Sequence, residues 1–481
     1  MSDNRGNFSG RIGFILAAAG SAVGLGNIWK FPYLAGQNGG AIFLLVYLAC
    51  IFLLCYPVMV GEIAIGRAAN ADANGSYKKL GGNSWAPLGT FGILAGIFIL
   101  SFYNVVAGWA FGYFLEITFG NLLTEPDFGS FFGTYVNDIV DFSSLGGFMT
   151  SNLIFSLLFM VITAVIVSQG IQGGIEKANK VMMPALYVIL IGLIIYSLTL
   201  PNASSGVKFY LVPDFSEFRL QTVFDGLKQA FFSLSLGMGC LITYGSYLKK
   251  TDNITRSAAV ISIADTSVAF LAGLMVFPLV HFLQYKLGVD NVATAGPPLI
   301  FMVLPQIFSE MGPLLGRIVG GSFFLLVCFA ALTSTISLLE VPVAYAVDSR
   351  KLPRKTMVWV LAGVIFILGL PSMVSQGMVG FLNKLPFYPF IGDNKQDFLT
   401  FVADMCDISL VIGGCLMCIF IARRWKIANL HKEIEVSDKG YSNSFLKKYL
   451  TFTISYVAPV LLGILSVLVI LEKFFGLSNL I

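Results

Sequence analysis

Two short runs of glycine and small polar residues interrupt stretches that are otherwise apolar. The first is Gly20-Ser21-Ala22-Val23-Gly24-Leu25-Gly26-Asn27, and the second is Ser233-Leu234-Ser235-Leu236-Gly237-Met238-Gly239. Glycine weakens a helix by about 1 kcal/mol per residue and lets the backbone leave helical angles. A helix that unwinds at such a run frees carbonyl oxygens and amide hydrogens. The carbonyls suit a hard cation, and the amides at a half-helix N-terminus suit a carboxylate. Taken singly, either run could equally serve close helix packing through small residues. Asp265 and Lys30 add ionisable groups to apolar sequence, where such groups are costly and read as functional. Other chemistry is poorly provided for. The sequence has no nucleophile–base pair, no phosphate-binding glycine loop and only two histidines. Its seven cysteines lie in apolar stretches without metal-site spacing. Neither an enzyme nor a nucleic-acid partner is expected.

The elements that must position these residues follow from composition. Of the 481 residues, 56% are hydrophobic and 12% charged, against about 25% charged in soluble domains. With a mean hydropathy of +0.82, the natural solvent is a lipid bilayer, which a helix crosses with about 20 apolar residues. The sequence predicts an all-α membrane protein with eleven spans, near 11–36, 40–66, 88–119, 150–168, 178–200, 222–247, 257–285, 315–346, 357–374, 398–422 and 448–472. Pro297 to Met311 is apolar but too short to cross, and reads as a re-entrant or surface hairpin. Both glycine runs fall midway along a span, the first and the sixth. These are corresponding places in two five-span halves, 1–200 and 201–422, followed by an inner loop and a last span over 423–481. Such paired interruptions point to a binding site between inverted repeats. Basic residues cluster on one side, among them Arg5, Arg11, Arg67, Lys78, Lys79, Lys249, Lys250, Arg350, Arg354, Arg423 and Arg424. The positive-inside rule then puts the N-terminus in the cytoplasm and the C-terminus outside, across the inner (plasma) membrane. No cleavable leader is expected.

At the residue level, Gly20-Ser-Ala-Val-Gly-Leu-Gly-Asn27-Ile-Trp-Lys-Phe-Pro32-Tyr resembles the first-helix signature of the neurotransmitter:sodium symporter family. Asn38-Gly-Gly40-Ala, Pro57 to Arg67 with Gly61-Glu62, Gln229 to Gly239, Thr243-Tyr-Gly-Ser-Tyr247 and Ala330-Ala-Leu-Thr-Ser-Thr335 continue the resemblance in order. It implies a LeuT-type fold, alternating access and sodium-coupled uptake with two sodium ions. The first ion would take the Ala22 carbonyl, Asn27, Ser233, Asp265 and the substrate carboxylate. The second would take carbonyls of Gly20, Val23 and Ala330, with the hydroxyls of Thr333 and Ser334. Asp265 departs from the asparagine of many members, and Ala269 stands where chloride-dependent members resemble one another in having serine. Asp265 would then supply the charge that chloride otherwise brings, so no chloride is expected. It also makes pH sensitivity and proton counter-transport plausible.

Gly24 lacks the aspartate with which monoamine carriers of the family hold an amine, so the ligand should bring its own carboxylate. The resemblance implies that the carboxylate meets Leu25, Gly26 and the Tyr103 hydroxyl, with Phe232 closing over it. The pocket would comprise Ala22, Gly24, Ile99, Phe232, Ser233, Ser235, Met238, Ser334 and Leu338, favouring neutral hydrophobic or aromatic amino acids. Lys30 should pair with Asp404 as an outer gate, with Asp407 as the alternative. At the inner side Arg5 and Asp348 would pair, supported by Phe8, Ser246 and Tyr247. Glu62 should accept hydrogen bonds from unwound-helix amides, and Gly174 and Pro184 resemble a pair that lets the fifth span unwind. The competing class is a receptor that binds an amino acid without moving it, but Arg423–Lys448 is too short for a signalling domain.

Overall fold

The computed structural model describes residues 6–120, 122–137, 152–288, 299–390 and 395–476. Among these residues the chain is helical, with no strand. The helices that frame the centre are α1 (Arg11–Ala22), α2 (Gly26–Gln37), α3 (Ala41–Ala69), α4 (Asn83–Thr118), α5 (Asn152–Ser168), α6 (Ile171–Ser197), α7 (Leu220–Ser233), α8 (Cys240–Gly245), α9 (Ile254–Leu287), α10 (Ile300–Ser309), α11 (Pro313–Asp348), α12 (Arg354–Val374), α13 (Phe398–Trp425), α14 (Ile427–Glu435) and α15 (Phe445–Phe475). Eight described helices are long and apolar enough to cross a membrane, and nine if the bent pair α1–α2 counts as one.

Capping residues set many of the boundaries. Asn253 accepts from the Arg256 amide at 2.9 Å to start α9, which ends at Gly288 with φ +65°. Asp397 accepts from the Thr400 amide at 3.0 Å to start α13. Such side chains satisfy amides that have no partner within the helix. α4 packs along α11, and α1 lies against α9 and α11. α10 is a short helix that packs on the start of α11.

Both glycine runs interrupt their helices. α1 stops at Ala22, Val23 is extended, and α2 leaves at 50° to α1. α7 stops at Ser233, and helix resumes only at Cys240. Between them Ser235, Gly237 and Gly239 have φ of +54°, +82° and +77°. Glycine enters this left-handed region freely, whereas serine enters it at a cost. The Ser235 hydroxyl offsets that cost by donating to the Ser21 carbonyl at 2.9 Å, which ties one break to the other.

Candidate functional site

The two breaks face each other at the middle of the bundle. Glu62 of α3 accepts from the Gly237 amide at 2.7 Å, giving one unwound N–H the partner it lost. Gln229 donates to the Gly26 carbonyl at 2.8 Å, and the Tyr103 hydroxyl accepts from the Leu25 amide at 2.9 Å. A β-carbon at Gly24 would lie 2.5 Å from Ser334 Oγ and 2.8 Å from Tyr103 Oη. Position 24 therefore has no room for a side chain.

A small pocket fills the gap between the breaks. Its wall brings together Ala22, Gly24, Gly26, Ile99, Tyr103, Phe232, Ser233, Ser235, Met238, Ser334 and Leu338, and also Ser21. Leu25 lines the space above instead, while its amide holds Tyr103. The pocket leaves only 20 Å3 free, room for about one water. Above it opens a vestibule of 520 Å3. Gly26, Tyr103 and Phe232 border both spaces, so the Phe232 ring is the partition between them.

Oxygen atoms gather on two sides of the pocket. On one side the Asp265 carboxylate is fully buried. Its Oδ1 accepts from Asn27 Nδ2 and Ser233 Oγ at 2.8 Å each, and its Oδ2 accepts from Tyr47 Oη at 3.1 Å. The Asn27 amide also donates to the Asp265 carbonyl at 3.1 Å, and its Oδ1 accepts from the Gly24 amide at 3.0 Å. On the other side Thr333 Oγ1 donates to the carbonyls of Ala330 (3.0 Å) and Val23 (3.2 Å), joining α11 to the first break. Ser334 Oγ donates to the Ser21 carbonyl at 3.4 Å. A β-carbon on Gly20 would sit 3.3 Å from Thr333 Cβ, so Gly20 lies against the same group.

The vestibule corrects one expectation. Lys30 Nζ is 2.7 Å from Asp407 Oδ2, not on Asp404, and lies 4.4 Å from the centre of the Phe232 ring. Asp404 is engaged elsewhere, by the Tyr388 hydroxyl and by Lys473 Nζ at 3.4 Å. Lys228, Asp225 and Glu472 form a further charged group on the same wall. At the opposite end Arg5 lies outside the described residues. There Phe8 packs edge-on against Tyr244 and Tyr247, and the Tyr247 hydroxyl donates to Glu340 at 2.8 Å. Glu340 in turn is held by two nitrogens of Arg354. The segment Ile171–Glu176, which contains Gly174, is wound as a π-helix that runs into the rest of α6. The contacts made by Tyr47, Gln229, Glu340 and Arg354 were not legible in the sequence. A tyrosine in an apolar span looks like packing, and the two ends of an ion pair show no mark of each other.

Comparison with known proteins follows the same lines. The model of the sodium:neurotransmitter symporter family matches residues 5–125 and 124–476. The chain belongs to the sodium:neurotransmitter symporter family. It is 35% identical to the Bacillus subtilis sodium-dependent transporter YhdH over 470 residues, covering 95% of this chain and 98% of that protein. It is 28% identical to the human sodium- and chloride-dependent GABA transporter 2, covering 78% of this chain and 68% of the other. The crystal structure of MhsT in complex with L-phenylalanine superposes with a TM-score of 0.83 at 40% identity, covering 96% of this chain and 99% of that one. The chain thus has the LeuT-type fold and is a sodium-dependent symporter of this family in a membrane, not an enzyme.

Proposed function

We propose that this symporter couples sodium entry to the uptake of a neutral amino acid with an apolar or aromatic side chain. One observation carries the substrate class. The pocket beneath Phe232 is lined by Ile99, Met238 and Leu338, has no charged side chain, and ends at unwound backbone. A zwitterion would direct its carboxylate to the amides and Tyr103 hydroxyl at the first break, while its side chain meets the apolar wall. MhsT, the structural neighbour, was crystallised with L-phenylalanine. An aromatic ligand exceeds the present free space. Phe232 must therefore swing toward the vestibule, and the flexible Met238 must repack.

Two sodium ions are proposed as co-transported cargo, and the donor sets fit them. Around Asn27, the oxygens of Ser233 and Asp265 converge on one amide nitrogen. Which end of that amide faces them follows from hydrogen bonding alone. Turned over as the ion arrives, at the cost of the hydrogen bond it accepts from the Gly24 amide, its Oδ1 joins Ala22, Ser233 and Asp265 in an all-oxygen set. The second set is Gly20, Val23, Ala330, Thr333 and Ser334, also all oxygen. Hard monovalent cations favour such donors. Asp265 already brings a full negative charge, stabilised by Tyr47 and Ser233, and Ala269 offers no side-chain ligand to an anion. Transport should then proceed without chloride. Ser233 belongs to the first set and to the wall of the passenger's pocket, so it can register both occupants at once.

The proposed frame is eleven crossings in two inverted five-span halves, 1–200 and 201–422, with 423–481 added. The bent pair α1–α2, the broken pair α7–α8 and the 17-residue α5 supply the three crossings beyond the eight long enough on their own. The N-terminus is assigned to the cytoplasm, the C-terminus to the outside, and the chain to the inner membrane. Lys30 with Asp407 serves as the outer gate, and Asp348 with Tyr247 belongs to the inner one. The test is uptake into proteoliposomes of labelled leucine, phenylalanine, tryptophan, glutamate and lysine, with sodium and chloride varied separately. Uptake of the neutral apolar members that requires sodium and survives replacement of chloride by gluconate is expected. Uptake indifferent to sodium, or lost in gluconate, would overturn the respective assignment.

A further inference from the structure

Asn179 lies on α6 where that helix faces α1. Its side chain is fully buried, and its Nδ2 donates to the Ile175 carbonyl of its own helix at 2.8 Å. Its Oδ1 has no hydrogen-bond partner among the described residues. That oxygen presses on Gly20: a β-carbon there would stand 2.0 Å away from it. It thus lies beside a residue of the proposed second sodium site. One turn toward the basic end, Glu176 repeats the arrangement. A β-carbon on Gly13 would meet Glu176 Oε1 at 2.5 Å. Glu176 is buried, and it is held by the Ser9 amide at 2.9 Å, by the Ser9 hydroxyl and by Lys180 Nζ at 2.6 Å. Residues three apart on a helix share a face. Both oxygens therefore look at α1, opposite glycines that lie roughly 10 Å apart along its axis.

We infer that Asn179 Oδ1 and Glu176 form a relay of oxygen ligands along which sodium leaves the second site toward the basic end. This rests on the second-site reading above. An orphaned buried carbonyl is retained at a cost, and a passing hard cation is a partner suited to it. Glu176 then provides a full charge one step further. Its present partner Lys180 is half exposed and free to swing out as a cation arrives. The bare glycines of α1 leave these oxygens in contact with its backbone, where side chains would otherwise shield them.

The experiment follows bound 22Na on the purified full-length protein in nanodiscs, so that it reads binding and exchange, not transport. Asn179→Leu keeps the shape and removes the oxygen, whereas Asn179→Asp keeps both. Sodium dissociation about tenfold slower in Asn179→Leu, with its equilibrium affinity within threefold of the parent and fast exchange in Asn179→Asp, is the expected result. Glu176→Gln should slow exchange in the same direction. Thr333→Ala tests the underlying site and should weaken sodium binding. If Thr333→Ala weakens binding while Asn179→Leu and Glu176→Gln both exchange at the parent rate, the relay is overturned and the site stands. If Thr333→Ala binds sodium as the parent does, the second-site reading falls and the relay with it.

Discussion

Removing the charge of Lys30 tests how the roof of the pocket is held. Lys30 Nζ bridges two partners, the Asp407 carboxylate at 2.7 Å and the Phe232 ring at 4.4 Å. The ion pair is partly exposed, with side-chain accessibilities of 28% and 20%. It therefore belongs with pairs worth up to about 1 kcal/mol. A cation over an aromatic face adds about 0.5–1 kcal/mol in the same setting. Together they give roughly 0.5–2 kcal/mol, a factor of about 2–30 in an equilibrium. Lys30→Met keeps the stem that packs on the ring and loses both interactions. The dissociation rate of bound amino acid, followed by stopped-flow fluorescence in nanodiscs, should rise by about that factor. Asp407→Asn should reproduce the ion-pair part, and the double variant should show less than the sum of the two. Asp404→Asn should leave the rate near that of the parent, because Asp404 is bound to Tyr388 and Lys473. The reasoning fails if Asp404→Asn matches Lys30→Met while Asp407→Asn is silent.

Asp265→Asn should lower sodium affinity by roughly 10- to 100-fold, since hydrogen bonds to a charged group are worth about 1.5–3 kcal/mol; equilibrium 22Na binding measures it. Gly24→Ala should weaken amino acid binding by about 5- to 150-fold, from an overpacking cost of about 1–3 kcal/mol against Ser334 and Tyr103; isothermal calorimetry on folded protein reads it. His431 is held by Tyr441 and Thr451 at 2.8 Å each, and burial, then Lys447, moves its pKa below the ordinary imidazole value. A neutral histidine of this kind stabilises the fold above about pH 6.5. That contribution is lost as pH falls through the lowered folded value. Amide protection over residues 427–452 should therefore drop between pH 7.5 and pH 5, and His431→Phe should flatten the change.

Backbone chemistry was the part most legible in the sequence. Glycine and serine in mid-span have few structural reasons to occur, and the positive φ of Ser235, Gly237 and Gly239 shows what they permit. Asp265 was legible for a different reason: a carboxylate in apolar sequence must find donors, and it finds Asn27, Ser233 and Tyr47. Pairing across the bundle was not legible. Asp404 and Asp407 are three residues apart on one helix face, so spacing alone could not choose between them. The choice was made by Tyr388 and Lys473, which reach Asp404 from remote parts of the chain. Tyr47 was hidden because one hydroxyl distinguishes it from the aromatic packing around it, where Phe31 and Phe43 touch its ring.

The helix α11 is continuous for 36 residues, while α1 and α8, which pack on it, each belong to a jointed pair, α1–α2 and α7–α8. It carries Ala330 and Thr333 at the core and Glu340 and Asp348 further along, so a single unbroken helix, with Pro342 in its course, serves stations about 22 Å apart. Its angular phase is shared by all of them. Adding or deleting one residue between Ser334 and Glu340 would turn everything beyond by about 100°. Length along this stretch is therefore as tightly constrained as residue type, and the chain can drift through substitution there but not through insertion.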